Sequence, residues 1–349
     1  MGRMTGKPSI LAPTLDQLTE TLQTWDEPSY RARQIWAQVY QRLIHDPHLM
    51  TDLPIPLREK LAEAYNWQAL DVSRQIQSQD GETTKFLLSL DDGAAIETVL
   101  MRYDRRRTAC ISTQVGCAMG CVFCATGQMG YRRNLTQAEI SGQVLFVARQ
   151  LQAHNQKLTN VVFMGMGEPF HNYDATLAAI DRLNDPEGFD FGARRFTIST
   201  VGLIPEINRL ASEGRQVNLA VSLHAATDEL RNSMLPINKK YPLGPLMQAC
   251  ATFVHRTGRR ITFEWALVEG VNDTVEQAQA LAQRIAGLNS HVNLIPLNPT
   301  RAYAGQASSH DNVERFRQLL EGHGLSVTVR LRRGIDIQAG CGQLATQSK

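Results

Sequence analysis

Cys117, Cys121 and Cys124 stand in the run Cys-Ala-Met-Gly-Cys-Val-Phe-Cys. Thiolate is the soft ligand that iron–sulfur clusters need. On one short loop, this C-x3-C-x2-C spacing can hold three irons of a [4Fe–4S] cluster and leave the fourth open to chelate a small molecule. Clustered cysteines also serve zinc, but structural zinc takes four ligands, usually as two separated pairs. Here there is one triplet, with no nearby His and no second CxxC. A disulfide framework fits less well, because disulfide-rich secreted domains are short and this chain has 6 Cys in 349 residues.

Other residues able to do chemistry fall at the ends of apolar, strand-like runs. Met164-Gly-Met-Gly-Glu-Pro169 closes one run. Its glycines admit a ligand close to the backbone, and Glu168 offers a carboxylate to an ammonium. Later runs end in Ser199, in Ser222-Leu223-His224, and in Asn298. Ser, His and Asn suit hydroxyl and carboxylate ligands. Taken singly, each also reads as a turn or a helix cap. Cys110 opens the strand-like run Ala109–Val115, and Cys341 lies between two glycines near the C-terminus, in an accessible segment. Cys250, in the apolar stretch Met247–Val254, reads as core.

These residues need a scaffold. Leu15, Leu18, Leu22 and Trp25 recur at helical spacing, as do Ile35, Val39 and Leu43, and Pro54-x-Pro56 opens a third helix through Tyr65. Thr84–Leu90 and Ala95–Tyr103 read as strands about the turn Asp91-Asp92-Gly93. From Thr108 strands and helices alternate. Thr136-Gln-Ala-Glu139 is a capping box, and strand-like runs follow at 160–164, 195–201, 217–223, 260–268, 291–297 and 326–331. Such alternation implies a parallel sheet with helices outside, with ligands at the C-terminal strand ends. About six βα units predict an α/β fold, a partial (β/α)6 barrel, behind a small N-terminal helical accessory domain. The expected divisions are 1–67 for the helices, 68–107 for a β lead-in, 108–335 for the barrel and 336–349 for a C-terminal segment.

No apolar run is long enough to span a bilayer, and residues 1–10 lack a signal-peptide core, so a reduced cytoplasmic compartment is expected. Residues 1–100 hold 9 Lys+Arg against 14 Asp+Glu, and the rest 27 against 20. The basic excess thus falls on the barrel. Its arginines cluster at 105–107, 132–133, 194–195, 259–260 and 330–333, a phosphate-binding surface if they share a face.

The triplet spacing, with the Gly-Glu of Met164–Pro169, resembles the radical-SAM superfamily, in which the open iron chelates S-adenosylmethionine. Further runs closely resemble the RlmN-type RNA methyltransferases: Cys110-Ile-Ser-Thr-Gln-Val-Gly-Cys117, the Ala-Thr-Gly after the triplet, Arg133-Asn-Leu, Ser222–His224, Asn293–Pro299 and Ala339-Gly-Cys-Gly-Gln343. Tyr30–Trp36 and Met50–Leu53 fit that family's accessory domain, so the resemblance spans nearly the whole chain. It implies methylation at C2 of adenine-2503 in the peptidyl-transferase centre of 23S rRNA, with adenine-37 of tRNA a further expected substrate.

By the same resemblance, Cys117, Cys121 and Cys124 hold one [4Fe–4S] cluster per subunit. Gly167, Glu168, Ser199, Ser222, Leu223, His224 and Asn298 contact S-adenosylmethionine, two molecules of which are used per turnover. Cys341 carries the methyl group, Cys110 resolves the product, and Glu97 matches a proton acceptor, although an acid on a strand usually faces solvent. A one-electron donor such as flavodoxin or ferredoxin, a monomeric state and no membrane partner are expected. A Cfr-like enzyme acting on C8 of the same adenine is the alternative. Such sequences often carry an extra Cys where this chain has Val115, which favours C2.

Overall fold

The computed structural model describes residues 6–68 and 70–346. The ends of the expected 1–67 and 336–349 segments, and half of the stretch read for a signal peptide, lie outside the described residues.

Three helices open the chain: α1 (Leu15–Gln23), α2 (Tyr30–Tyr40) and α3 (Ile55–Ala64). Thr14 and Gln17 cap α1 reciprocally, which fixes its start. Leu43, read as part of the α2 stripe, lies beyond that helix at φ 60, still buried. This unit is fastened to the rest through α2. Trp36 Nε1 donates to Asp185 Oδ2 (2.8 Å), and the Arg182 guanidinium lies 4.7 Å from the Trp36 ring centre while donating to the Tyr40 hydroxyl (2.8 Å). A buried cation over an aromatic face contributes roughly 1–2 kcal/mol. Arg33 meets Glu187 (2.9 Å) and Arg31 lies 3.9 Å from Glu27, so these arginines are partly neutralised and the helices brace the barrel.

One ten-stranded sheet runs through the remainder. Strands β1 (Asp71–Gln77), β2 (Thr83–Ser89) and β3 (Ala95–Arg102) are antiparallel, and β3 pairs antiparallel with β4 (Arg107–Cys110). The stretch 68–107 is therefore continuous with the barrel sheet; β1 was not foreseen, because its exposed sequence carries little apolar signal. Between β4 and the next sheet strand lie a hairpin, β5 (Gln114–Gly116) with β6 (Tyr131–Asn134), the short helix α4 (Ala125–Gln128) and the long helix α5 (Gln137–Gln152). Parallel pairing then follows through β7 (Asn160–Phe163), β8 (Phe196–Thr200), β9 (Asn218–Ser222), β10 (Ile261–Leu267), β11 (Ser290–Pro296) and β12 (Val327–Val329). The intervening helices are α6 (Tyr173–Asn184), α7 (Ile204–Ser212), α8 (Asp228–Met234), α9 (Leu243–Thr257), α10 (Val275–Ile285) and α11 (His310–Gly322). Six βα units, closed by the three-residue edge strand β12, make the partial barrel.

The strands are apolar on both faces because helices cover one side and the barrel interior fills the other. Phe163, Phe196, Phe263 and Trp265 are fully buried, and Cys250 lies in the same core. Among the described residues no helix is long and apolar enough to cross a membrane.

The reading of Ala109–Val115 as one strand is corrected. The backbone leaves the sheet at Ser112, because Gln143 of α5 takes both its polar groups: Ser112 N donates to Gln143 Oε1 (2.8 Å) and Gln143 Nε2 to Ser112 O (2.9 Å). A side chain substitutes for a neighbouring strand, and the chain turns into the hairpin. Cys110 accordingly ends β4 instead of opening a strand, and the cysteine loop springs from β5.

Candidate active site

The hairpin decides where the cysteine loop points. At its base Cys117 N donates to the Gly130 carbonyl (2.9 Å), and Gly116, at φ +76, makes room for that carbonyl where any side chain would collide with it. Cys117, Cys121 and Cys124 then line one cavity at the C-terminal ends of the strands. Burial pushes the Cys117 thiol up to about 12 and raises Cys121 as well; neighbouring sulfurs add to both effects. Such thiols release their protons only to a strongly bound cation. Among the described residues, no three His, Cys, Asp or Glu side chains surround a point where a single metal ion could sit. Three soft donors spread along one wall fit a cluster that takes one iron per thiolate.

The strand ends supply further residues to the same lining. Gly167, Glu168, Ser199, Ser222, His224 and Asn298 all line the cavity, as their positions in the sequence suggested. Leu223 does not. Its side chain is fully buried, its N–H goes to the Glu264 carbonyl (3.1 Å), and its own carbonyl accepts from Arg231 Nε (3.1 Å).

Glu168 is buried, with Oε1 accepting from Phe170 N (3.0 Å) and Oε2 from Val201 N (2.9 Å); burial still pushes its carboxyl up to about 7. Burial, with Arg231 beside it, drops the His224 ring to about 3, so it is neutral. Its Nδ1 accepts from Ala266 N (2.9 Å), which leaves the proton on Nε2 as a donor. The Ser199 and Ser222 hydroxyls lie 3.4 Å apart.

Gly167 holds φ +100, and a Cβ there would fall 2.5 Å from the Gln114 side chain. Gly167→Ala is therefore expected to lower stability by about 1–3 kcal/mol through strain alone. A thermal midpoint equal to that of the parent protein would show that the loop relaxes freely.

The C-terminal segment folds back over these strand ends, held largely through its own carbonyls. Asn298 Nδ2 donates to the Cys341 carbonyl (3.0 Å), Ala125 N to Gly342 O (2.7 Å), Thr126 Oγ1 to Leu344 O (2.6 Å) and Gln343 Nε2 to Pro299 O (3.0 Å). Cys341 is thereby placed on the cavity wall with the triplet. Water reaches it from the cavity, yet surrounding protein raises its thiol to about 11, with Arg330 opposing the rise. Cys110 is buried close by, near enough for the Cys341 sulfur to add to the burial that raises its thiol to about 12. Both are free thiols.

Glu97 stands apart from this wall. It is buried, where an acid on a strand would ordinarily face solvent. It pairs with Lys85 (2.9 Å), accepts from Ala345 N (2.9 Å) and lines a neighbouring cavity with both. Burial raises its carboxyl pKa.

Three residues escaped the sequence reading. Glu264 lines the main cavity from the middle of β10; an acid inside Ile-Thr-Phe-Glu-Trp-Ala-Leu was the available signal. Arg231 is fully buried and donates to the carbonyls of Val201, Ser222 and Leu223, tying β8 and β9 together beneath the site. Arg330, whose terminal nitrogens lie 3.9 Å from Met164 Sδ, was read only as one of an arginine cluster. Of the clustered arginines, Arg107, Arg133 and Arg259 are spent on local partners.

Residues 111–282 match the radical SAM superfamily, and residues 9–66 match the ribosomal RNA large subunit methyltransferase N-terminal domain. The chain is 49% identical over 331 residues to the dual-specificity RNA methyltransferase RlmN 1 of Myxococcus xanthus, covering 95% of this chain and 92% of that one. It also matches the crystal structure of a radical SAM methyltransferase from Sphaerobacter thermophilus, with a TM-score of 0.95 and 50% identity over 97% of this chain and 99% of the other.

Proposed function

Since the chain belongs to the RlmN family of radical-SAM RNA methyltransferases, we propose that it methylates C2 of adenine-2503 in 23S rRNA and of adenine-37 in tRNA. The observation that carries this reading is the meeting of Cys341 with the cysteine triplet in one cavity, with Cys110 beside it. An ordinary transfer from a sulfonium needs a nucleophilic acceptor, and C2 of adenine is electrophilic. A thiol that first carries the methyl group, next to a radical source, answers that difficulty.

Cys117, Cys121 and Cys124 would hold three irons. When bound there, a reduced [4Fe–4S] cluster supplies the one electron that splits S-adenosylmethionine and yields a hydrogen-abstracting radical. Glu168 receives the ammonium of that ligand, with Gly167 giving backbone access. Ser199, Ser222, the His224 Nε2–H and Asn298 face its remaining polar groups, and Leu223 acts through the shape of the strand end. Cys341, methylated by a first S-adenosylmethionine, would give one hydrogen atom of that methyl group to the radical and join C2 through the resulting carbon. One electron would return to the oxidised cluster and the C2 proton would be lost; Cys110 would then attack the Cys341 sulfur, so that an S–S bond forms, the S–CH2 bond breaks, and the carbon keeps its electron pair and takes a proton as the methyl group. The assignment of Glu97 as proton acceptor rests on the resemblance alone. The target base must leave its stack to reach a cavity of this kind.

Binding at Glu168 ties affinity to pH. An ammonium favours the ionised carboxylate, whose pKa lies at about 7. Affinity for S-adenosylmethionine is therefore expected to fall about tenfold per pH unit below that value. Titration calorimetry across this range checks it, and a flat profile would remove Glu168 from the ammonium site.

The reaction itself is tested by nucleoside mass spectrometry. Unmodified 23S rRNA fragment and tRNA are each incubated anaerobically with reconstituted protein, S-adenosylmethionine and a reductant such as flavodoxin. 2-Methyladenosine is expected from both. 8-Methyladenosine would move the protein to the Cfr-like reading, against which Val115 stands. Neither product, with cofactor still cleaved, would remove the RNA substrate.

A further inference from the structure

Lys85 and Glu97 form a buried ion pair (2.9 Å) that takes no part in lining the cavity of the triplet. Lys85 stands opposite Val99 and Glu97 opposite Leu87, so the two side chains meet diagonally across β2 and β3 on one face of the sheet. Burying two charges is repaid only when further hydrogen bonds satisfy them. Here those bonds go to the C-terminal segment. Lys85 Nζ donates to the Gln338 carbonyl (3.1 Å), and Glu97 Oε2, the oxygen not paired with Lys85, accepts from Ala345 N (2.9 Å). Cys341 stands between these two points. Gln338 holds φ 54, a left-handed backbone that few non-glycine residues adopt, and such a conformation persists only where its surroundings enforce it. Just upstream, Asp336 Oδ2 accepts from Gln79 N (2.9 Å), in the turn between β1 and β2.

The main chain of Glu97 reaches the Gly167–Glu168 loop as well. Its carbonyl accepts from Ser112 Oγ (2.6 Å), and that oxygen accepts in turn from Met166 N (2.9 Å). One residue thus joins the segment that carries Cys341 to the strand end beside Glu168.

We propose that Lys85 and Glu97 are positioning residues for Cys341, a clasp on both sides of the thiol that sets where its methyl group stands against the hydrogen-abstracting radical. The inference rests on Cys341 being the methyl carrier. Hydrogen transfer needs the two carbons in near contact, and a misplacement of about 1 Å costs about 10²-fold in rate. With the methyl group misplaced, the radical takes its hydrogen atom from a buffer or protein C–H instead. Cofactor is then spent and no base is methylated. In this role Glu97 acts through the segment it holds, and moves no proton of the base.

Full-length holoenzyme carrying Lys85→Met, Glu97→Gln, both together, or Lys85→Arg is compared with wild type on whichever unmodified RNA, 23S rRNA fragment or tRNA, it methylates. Three quantities are read: 5′-deoxyadenosine released per adenosine methylated, covalent protein–RNA on denaturing gels, and hydrogen exchange of the peptide spanning residues 336–346. Lys85→Met removes the donor to the Gln338 carbonyl. A glutamine at 97 must turn its NH2 toward Lys85 or toward Ala345 N, both donors, so it loses one of its two bonds. Each change is expected to raise the ratio at least about tenfold and to speed exchange in the peptide, with no adduct accumulating. The double variant should do no worse than the singles, because the pair acts as a unit. It also buries no unpaired charge, which keeps the test decisive if a single variant folds poorly. Lys85→Arg retains the charge and its donors and should stay near wild type. A wild-type ratio and wild-type exchange in the neutral variants overturn the clasp and leave the proposed reaction standing. Adduct that accumulates with Glu97→Gln but not with Lys85→Met makes Glu97 a proton acceptor, and the clasp falls. If Cys341→Ala, run beside them, still methylates RNA, the reading beneath the inference falls with it.

Discussion

Replacing Cys341 by Ala is expected to abolish formation of methylated adenosine on every RNA tested, without loss of the cluster. The chemical reason is that no other thiol on the wall is free to carry the methyl group. In the proposed reaction the triplet is committed to iron, and Cys250 is buried in α9, away from the cavity lining. The structural reason is that the Cys341 segment is held by main-chain atoms. The carbonyls of Cys341, Gly342 and Leu344 accept its bonds, and the thiol makes none of them. Alanine leaves these bonds in place. Iron content, cluster absorbance and the thermal midpoint should match the parent protein, the last within about 1 kcal/mol for a small substitution. Nucleoside mass spectrometry reads the result directly. Any 2-methyladenosine above background from the Cys341→Ala protein would mean that the methyl group reaches RNA by another route.

Cys110→Ala is expected to give the opposite failure, a reaction that starts and does not finish. The first methyl-derived carbon should join the base, and the protein should remain attached to the RNA through the Cys341 sulfur in close to stoichiometric yield. The attachment is a thioether, so added thiols should not cleave it. Cys110 is buried at the end of β4, and losing one sulfur atom there costs about 1 kcal/mol, too little to unfold a domain of this size. A denaturing gel with labelled RNA separates the adduct from free RNA. Repeated turnover by Cys110→Ala would assign the resolving role elsewhere.

The fold and the site were legible to different depths. The parallel barrel announced itself because buried parallel strands are apolar on both faces, and runs such as Asn160–Phe163 and Ile261–Leu267 read the same way in one dimension as in three. The cavity wall at Glu168, Ser199, Ser222, His224 and Asn298 followed from strand ends alone. What failed depended on partners remote in sequence. Gln143 interrupts the strand at Ser112 from 31 positions away, and nothing near Ser112 foretells it. Leu223 was carried over from the resemblance together with Ser222 and His224; its buried side chain stays off the cavity lining, and its main chain bonds to Glu264 and Arg231. Glu97 looked exposed because the exposed strand β1 and the tail that supplies Ala345 both lie far from it in the chain.

The way the C-terminal segment is held separates address from cargo. Its place in the cavity is fixed by carbonyls and by the side chains of Asn298, Thr126 and Gln343, whereas in the proposed reaction the reagent is one atom on one side chain. An arm built in this way can be reloaded. A selenium atom at position 341 would occupy the same place, and the scaffold would then compare two carrier atoms in an otherwise unchanged reaction.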